Sequence, residues 1–249
     1  MKAMVLAAGL GTRLRPLTDD RPKALVEVGG RTLLEITLAR LRTLGIREVI
    51  INVHHFADNV ISFLEAHDNF GMRIEVSRED VLLDTGGGLK KAGWFFLEEG
   101  NSNAEPFVLH NVDVVSTIDL QRMVAFHSET QALATLAVQQ RDSSRQLVFD
   151  ENLQLCGRRI GNDQKPEIVR AAQQTQELAF GGIHIISPRL LSAMTEEGVF
   201  AIIDCYLRLA AGGENIGAFR ADEYYWRDLG KPGDLQQAAR DFEQEIYPD

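Results

Sequence analysis

The spacing of apolar residues changes period again and again along the first 140 residues. Met1 to Ala8 is a short, continuous apolar run, the pattern of a strand buried on both faces. Between Thr32 and Leu44, residues Leu33, Leu34, Ile36, Leu38, Leu41 and Leu44 recur at helical spacing, and Gly45 ends the run. Strands are predicted at Glu48–His54, Met72–Ser77, Pro106–Val115 and in "ALATLAVQQ" from Ala132. Helices are predicted at Phe56–Ala66, at Gly86–Phe96 starting on its glycines, and at Asp119–Ser128 with Asp119 in the first turn. This alternation predicts an α/β fold: a Rossmann-like, doubly wound, mostly parallel sheet with right-handed crossovers.

After Arg141 the rhythm changes. "RQLVFDENLQLCG" reads as two short strands turning at Asp150, Glu151 and Asn152. Arg158 to Glu177 is polar, carries Gly161, Asn162 and Pro166, and reads as a loop. "LAFGGIHIIS" is a strand, with helices after it from Pro188 and from about Ile202. "YYWRDLG" is strand-like and leads into a last helix, Pro232 to Tyr247. With no internal repeat, the sheet is expected to become mixed, with a small lobe grown on it, in one domain spanning 1–249.

Composition narrows the partners. The 45% of hydrophobic residues can fill a sizeable core. A formal net charge of -10, with no concentrated basic run, disfavours a nucleic acid but leaves room for a small anion held by a few local cations. Cys156 and Cys205 are far apart and outside any CxxC pattern, as expected of free thiols in a reducing compartment rather than zinc ligands. No apolar run approaches a membrane span, and "MKAMVLAAGLG" meets arginines and turns too soon for a signal peptide. A cytoplasmic protein is expected.

The candidate chemistry begins directly after the first strand, in "LAAGLGTRLRPLT". Ligands of open α/β sheets sit beyond the carboxyl ends of the strands. Glycines there let backbone N–H groups approach an anion, and Arg13 and Arg15 carry forks that fit phosphate oxygens. A dinucleotide fingerprint needs a third glycine where Leu14 stands, and no acidic residue follows at a strand end to take a ribose. A P-loop needs Gly-Lys-Ser/Thr, which is absent. A plain glycine turn leaves Thr12, the arginines and Lys23 unexplained. Asp113 and Asp228 each place a charge inside an apolar segment, where a carboxylate needs a partner: a salt bridge, a helix cap or a metal.

Taken whole, "LAAGLGTRLRPLTDDRPKALVEVGG" resembles the signature of sugar-1-phosphate nucleotidyltransferases. "LLDTGGGLKKA", "HNVDVV", "FGGIHIISP" and "WRDLGKPGDLQQA" resemble further segments of that family, in the same order and across nearly the whole chain. "LAAG" and the Phe-Gly-Gly-Ile strand look most like its N-acetylmuramic acid-1-phosphate uridylyltransferases, with mannose- and heptose-1-phosphate guanylyltransferases close by. The resemblance implies that an NTP and a sugar 1-phosphate yield an NDP-sugar and pyrophosphate, with Mg²⁺ as cofactor. It implies a nucleotide-binding half over 1–140 and a sugar-binding lobe with C-terminal helices over 141–249. UTP with an N-acetylmuramic acid-like sugar is the first expectation; a GTP-dependent enzyme and a non-catalytic nucleotide or sugar-phosphate sensor are the alternatives.

By the same resemblance Arg13 and Lys23 hold the phosphates. Leu6, Ala7, Ala8, Gly9, Gly11 and Thr12 form the nucleotide loop, and Asp84, Thr85, Gly86 and Gly87 face the base. Asn111 and Gly182 serve the sugar phosphate, and Asp113 and Asp228 hold the metal. Arg15 is either a contact or a surface ion pair, Glu79 either points at the base edge or does not, and Lys165 is either a sugar-phosphate lysine or solvated. Arg158 and Arg159 are solvated unless a carboxylate-bearing sugar uses one. Val112 stands where relatives have Gly and is expected to point away from Asp113. Arg145 and Gln146 replace a Tyr-Gly, and Phe180 replaces an Asn, so the sugar is expected to differ from glucose or N-acetylglucosamine. His54 and His55 are expected at the rim of the site and Trp94, Phe95 and Phe96 in the core. Oligomeric state stays open.

Overall fold

The computed structural model describes residues 1–97, 105–244 and 246–247. The chain runs β1 (Lys2–Leu6), β2 (Glu27–Val28), β3 (Arg31–Thr32), α1 (Leu33–Thr43), β4 (Glu48–Val53), α2 (Ala57–Ala66), β5 (Arg73–Arg78) and α3 (Asp84–Ala92). It continues with β6 (Phe107–Asn111), β7 (Val114–Ser116), α4 (Leu120–Thr130), β8 (Ala134–Gln139), β9 (Arg145–Asp150), β10 (Leu155–Ile160), β11 (Glu167–Ile168) and β12 (Thr175–Ile186). The last elements are α5 (Arg189–Ala193), α6 (Ile202–Ala211), β13 (Ile216–Arg220), β14 (Trp226–Asp228) and α7 (Pro232–Glu243).

Among the described residues ten strands form one mixed sheet whose path is β11-β10-β9-β12-β6-β1-β4-β5, with β8 beside β12 and β13 beside β8. The β6-β1-β4-β5 part is parallel, as the alternation of strand and helix predicts. The chain is therefore α/β, with the expected Rossmann-like parallel core inside a larger mixed sheet. β12 is the seam. Its first residues pair with β9, its last four pair with β6, and β8 runs antiparallel along its other edge. β14 and β7 make a separate antiparallel pair.

Both faces of the sheet are covered. Ala3, Val5, Val49, Ile51 and Val108 face α1 and α2, while Met4, Ile50, Phe107 and Leu109 face α3 and α6. This double burial explains why β1, β4 and β6 read as nearly continuous apolar runs. Helix starts follow local chemistry. Thr32 Oγ1 accepts the Glu35 N–H at 3.1 Å at the head of α1, and Asp119 Oδ1 accepts the Arg122 N–H at 2.9 Å at the head of α4. Asp119 is thus the cap rather than a first-turn residue.

Several elements differ from the sequence reading. The strand expected over Pro106–Val115 is two strands, because the chain turns at Val112 and Asp113 and β7 leaves the sheet to pair with β14. Arg158–Glu177, read as a loop, contains the end of β10, all of β11 and the start of β12; ladder hydrogen bonds hold this polar arm with little apolar burial. β13, which pairs parallel with β8, and the β2–β3 hairpin have no counterpart in the reading. α7 ends at Glu243, short of Tyr247, and residue 245 lies outside the described residues. Phe95 and Phe96 are in the core, but Trp94 is half exposed. Among the described residues no helix is long and apolar enough to cross a membrane.

Candidate active site

Two clefts adjoin beyond the carboxyl ends of β1 and β6, where such sheets bind ligands. One, of about 410 Å³, is lined by Leu6, Ala8, Gly9, Lys23, Asp84 and Val199 among others. The second, of about 710 Å³, is lined by Arg13, Arg141, Gly182, Trp226 and Asp228 among others. Asn111 and Asp113 line both and mark the junction.

The two aspartates converge there through the β7–β14 pair. Asp113 occupies the turn before β7, Asp228 ends β14 opposite Val114, and the Leu229 N–H donates to Asp113 O at 2.8 Å. Burial, then the neighbouring Asp113 charge, pushes the Asp228 carboxyl above its ordinary range, while Lys23 and Arg13 pull it back. Lys23 Nζ donates to Asp113 Oδ2, with both side chains largely buried. The Gly230 N–H donates to Asp228 Oδ1 at 2.7 Å. A Cβ on Gly230 would fall 2.5 Å from Arg13 Nη2 and 2.7 Å from Asp228 Oδ1, so only glycine lets the guanidinium and the carboxylate flank that spot. Val112 is buried in the core and also lines the smaller cleft.

These donors suit magnesium. Among the described residues no three His, Cys, Asp or Glu side chains cluster as a closed metal cage. Two adjacent carboxylates, opening on clefts able to admit phosphates and water, are the donor set that Mg²⁺ takes.

The loop after β1 is held from below. Asn52 Oδ1 accepts the Ala7 N–H at 2.8 Å, and Asn52 Nδ2 donates to Glu79 Oε1 at 2.8 Å. Glu79 Oε2 accepts the Leu83 N–H at 2.9 Å. Both Glu79 oxygens therefore accept hydrogen bonds inside the protein, which favours the reading in which Glu79 does not point at the base edge. Thr12–Leu14 makes one 3₁₀ turn pinned by buried Leu14, and Gly11 O accepts from Leu14 N–H and Thr18 Oγ1. Thr12 and Arg13 stay exposed above it. Arg15 forms a surface pair with Asp19 at 3.4 Å. His54 lies in the loop after β4, its ring Nδ1 at 2.8 Å from Glu79 O.

At α3 the sequence reasoning missed a neighbour. The Gly86 and Gly87 N–H groups donate to Phe200 O at 3.0 and 3.3 Å, and Thr85 Oγ1 accepts the Ile202 N–H at 2.9 Å. Lys90 Nζ adds bonds to Glu196 O and Glu197 Oε1, both 2.6 Å. These glycine amides are thus committed to the 196–200 segment, which brings exposed Val199 to the lip of the smaller cleft. Nothing local in "EEGVF" signals this, because the contacts are long-range. Asp84 and Thr85 do line the cleft.

In the larger cleft Gly182 sits at φ +73°, and a Cβ there would meet Asn111 Nδ2 and Val114 Cγ2, each at 2.9 Å. Both the conformation and the close approach require glycine. The β12–β8 register shifts at this point. Trp226 Nε1 donates to Gly181 O at 2.7 Å. The Arg141 guanidinium lies over the Trp226 ring, 3.9 Å from its centroid. Neither Arg141 nor Trp226 was among the sequence candidates. Arg145 and Phe180 line this cleft, and Gln146 Nε2 bonds Arg141 O at 3.3 Å. Arg158 is bound to Glu167 and Asp204, and Arg159 to Glu177. Lys165 is exposed in the loop after β10. These last three side chains are not brought into the cleft wall.

The chain belongs to the nucleotidyl transferase family, whose model matches residues 2–245. Within it the chain is an enzyme of the sugar-1-phosphate nucleotidyltransferase type. It is 36% identical over 241 residues to an N-acetylmuramate alpha-1-phosphate uridylyltransferase of Caulobacter vibrioides, covering 92% of each chain. It is 30% identical to a UTP–glucose-1-phosphate uridylyltransferase of Synechocystis, covering 96% of this chain and 63% of that one. In fold it is similar to HddC of Yersinia pseudotuberculosis, solved with GMP-PN, at a TM-score of 0.75 and 21% identity, covering 97% of this chain and 99% of the other.

Proposed function

We propose that the enzyme joins UTP to an N-acetylmuramic acid-like sugar 1-phosphate, releasing pyrophosphate, with Mg²⁺ as cofactor. The observation that carries this reading is the Asp113–Asp228 pair, flanked by Lys23 and Arg13, at the junction of the two clefts. The 36% identical uridylyltransferase supports the choice of substrates.

An oxygen of the sugar phosphate attacks the α-phosphorus of the NTP. The new P–O bond forms as the bond from the α-phosphorus to the bridging oxygen breaks, and that electron pair leaves with pyrophosphate. The nucleophile is already an anion, so no general base is needed, and the work is positioning and charge neutralisation. The NTP occupies the cleft lined by Leu6, Ala8, Gly9, Asp84 and Thr85, with Leu82 and Val199 as apolar walls for the base. The sugar occupies the larger cleft against Gly181, Gly182 and Trp226. Lys23 and Asn111 sit between them, where the two reacting phosphates meet, and Arg13 neutralises the departing pyrophosphate. Asp113 and Asp228 would hold Mg²⁺, which supplies positive charge to the phosphate oxygens when bound. Cys156 and Cys205, both buried and unpaired, accord with a reducing, cytoplasmic setting.

The test is pyrophosphate release with Mg²⁺ across UTP, dTTP, CTP, GTP and ATP, each against N-acetylmuramic acid, mannose, glucose and N-acetylglucosamine 1-phosphates. UTP with the muramic acid derivative is the expected pair. Release with GTP and mannose 1-phosphate would replace the substrates and keep the reaction. NTP binding without release from any pair would make the chain a sensor.

A further inference from the structure

The wall of the sugar cleft holds a cation that the phosphate chemistry does not use. Arg141 follows β8, its guanidinium stacked on Trp226 and its Nη2 donating to Phe180 O at 2.8 Å. Its Nε is buried and has no hydrogen-bond partner among the described residues. Burial disfavours its charge, and Asp228 is the one carboxylate acting to support it among the described residues. Apart from Arg13, which the phosphate chemistry uses, the other cations of the cleft are placed differently. Arg227 is bonded to Asp241 at 3.0 Å, and Arg145 and Lys231 are exposed at the rim. A desolvated guanidinium without an acidic partner is costly, and a bound anion removes that cost.

Its position measures the ligand. Trp226 and Asp228 stand two residues apart on β14 and line the same cleft, so they lie about 7 Å apart along the strand. With the sugar phosphate at the Asp228 end, the Trp226 end lies one pyranose ring away. We propose that Arg141 is a specificity-determining residue that receives a carboxylate carried on the sugar ring, held over Trp226 and aimed across the ring from the anomeric phosphate. The inference rests on the sugar-1-phosphate transferase reading and deepens it. It also moves the carboxylate contact from Arg158, which is engaged by Glu167 and Asp204, to a residue inside the cleft.

The experiment compares three sugar 1-phosphates with UTP and Mg²⁺: N-acetylmuramic acid, its uncharged lactyl amide, and N-acetylglucosamine. Wild type, Arg141→Met and Arg141→Lys are assayed, and calorimetry of UTP binding checks that each variant keeps its nucleotide cleft. The wild type is expected to prefer the carboxylate to the amide. In Arg141→Met the ratio of kcat/KM for the carboxylate over the amide should fall roughly 10- to 100-fold, the scale of a hydrogen bond to a charged group, with Arg141→Lys in between. Equal loss on all three sugars would show that Arg141 only props the cleft, and an unchanged ratio would likewise overturn the proposal. Turnover of N-acetylglucosamine 1-phosphate alone by the wild type would overturn it while leaving the transferase reading standing. Absence of turnover with every NTP and sugar would sink both.

Discussion

Lys23 and Asp113, ninety residues apart in the chain, form an ion pair at the point where the two clefts meet. On the proposed reaction each partner stands in for a ligand of the other: the lysine occupies the carboxylate that would hold a metal, and the carboxylate occupies the lysine that would hold a phosphate. The pair holds both side chains in place, and the metal–nucleotide complex offers each a stronger partner of the same sign.

Asp113→Asn keeps the shape and removes the charge. Pyrophosphate release should fall by at least about 10²- to 10³-fold, the scale of losing one positioned electrostatic group. The melting temperature should move by only a few degrees, because Lys23 can turn to the solvent in the cleft. Normal turnover in this variant would refute the metal-binding role.

Glu79→Gln tests the support beneath the nucleotide loop. Glu79 accepts from both Asn52 Nδ2 and the Leu83 N–H, so an amide must turn its NH₂ toward one of those donors. Asn52 cannot reverse without facing its own NH₂ to the Ala7 N–H. The expected outcome is about 1–3 kcal/mol lower stability and a raised KM for the NTP, larger than any change in KM for the sugar 1-phosphate. A raised sugar KM with an unaltered NTP KM would contradict this relay.

Gly182→Ala forces a left-handed residue to carry a side chain against Asn111 and Val114. It should destabilise by about 1–3 kcal/mol and raise the KM for the sugar 1-phosphate, since Asn111 must shift. Steady-state kinetics against each substrate and a thermal melt check both.

Acid stability offers a test independent of activity. Burial lowers the ring pKa of His127 to about 4 and of His184 to about 3. The unfolded chain takes a proton on each near pH 6.5, where the native state does not. Their stabilisation is therefore complete above about pH 6.5 and is lost as the pH falls from there toward 4. At pH 5 each costs roughly 2 kcal/mol. Melting temperatures should drop between pH 7.5 and 5, and His127→Gln, which keeps a polar group beside Thr135 Oγ1, should narrow that drop. An equal drop in the variant would show that another group is responsible.

The parallel core was legible because β1, β4 and β6 are apolar on both faces and the first crossover helix ends on Gly45. The polar arm of β10 and β11 was not, since backbone pairing holds it and composition carries no trace of that. β13 was not legible because Gly217 interrupts a short run whose reason to be a strand is β8, far upstream in the chain. In the site, the residues of contiguous motifs such as Gly9, Lys23, Asn111, Asp113 and Asp228 come together at the two clefts. What stayed hidden depends on distant partners: Glu79 on Asn52, Gly86 on Phe200 and Arg141 on Trp226.

The shared strand β12 also decides where this chain can be cut. Both partners of β8, which closes the first 140 residues, come from the second half, and β6 gives an edge to β12. A gene split after Gln140 would therefore make one fragment with an orphaned strand and another lacking a wall of its sheet. We propose that the two pieces are complementing fragments rather than separable modules: neither is recovered folded alone, and co-expression restores a single working enzyme.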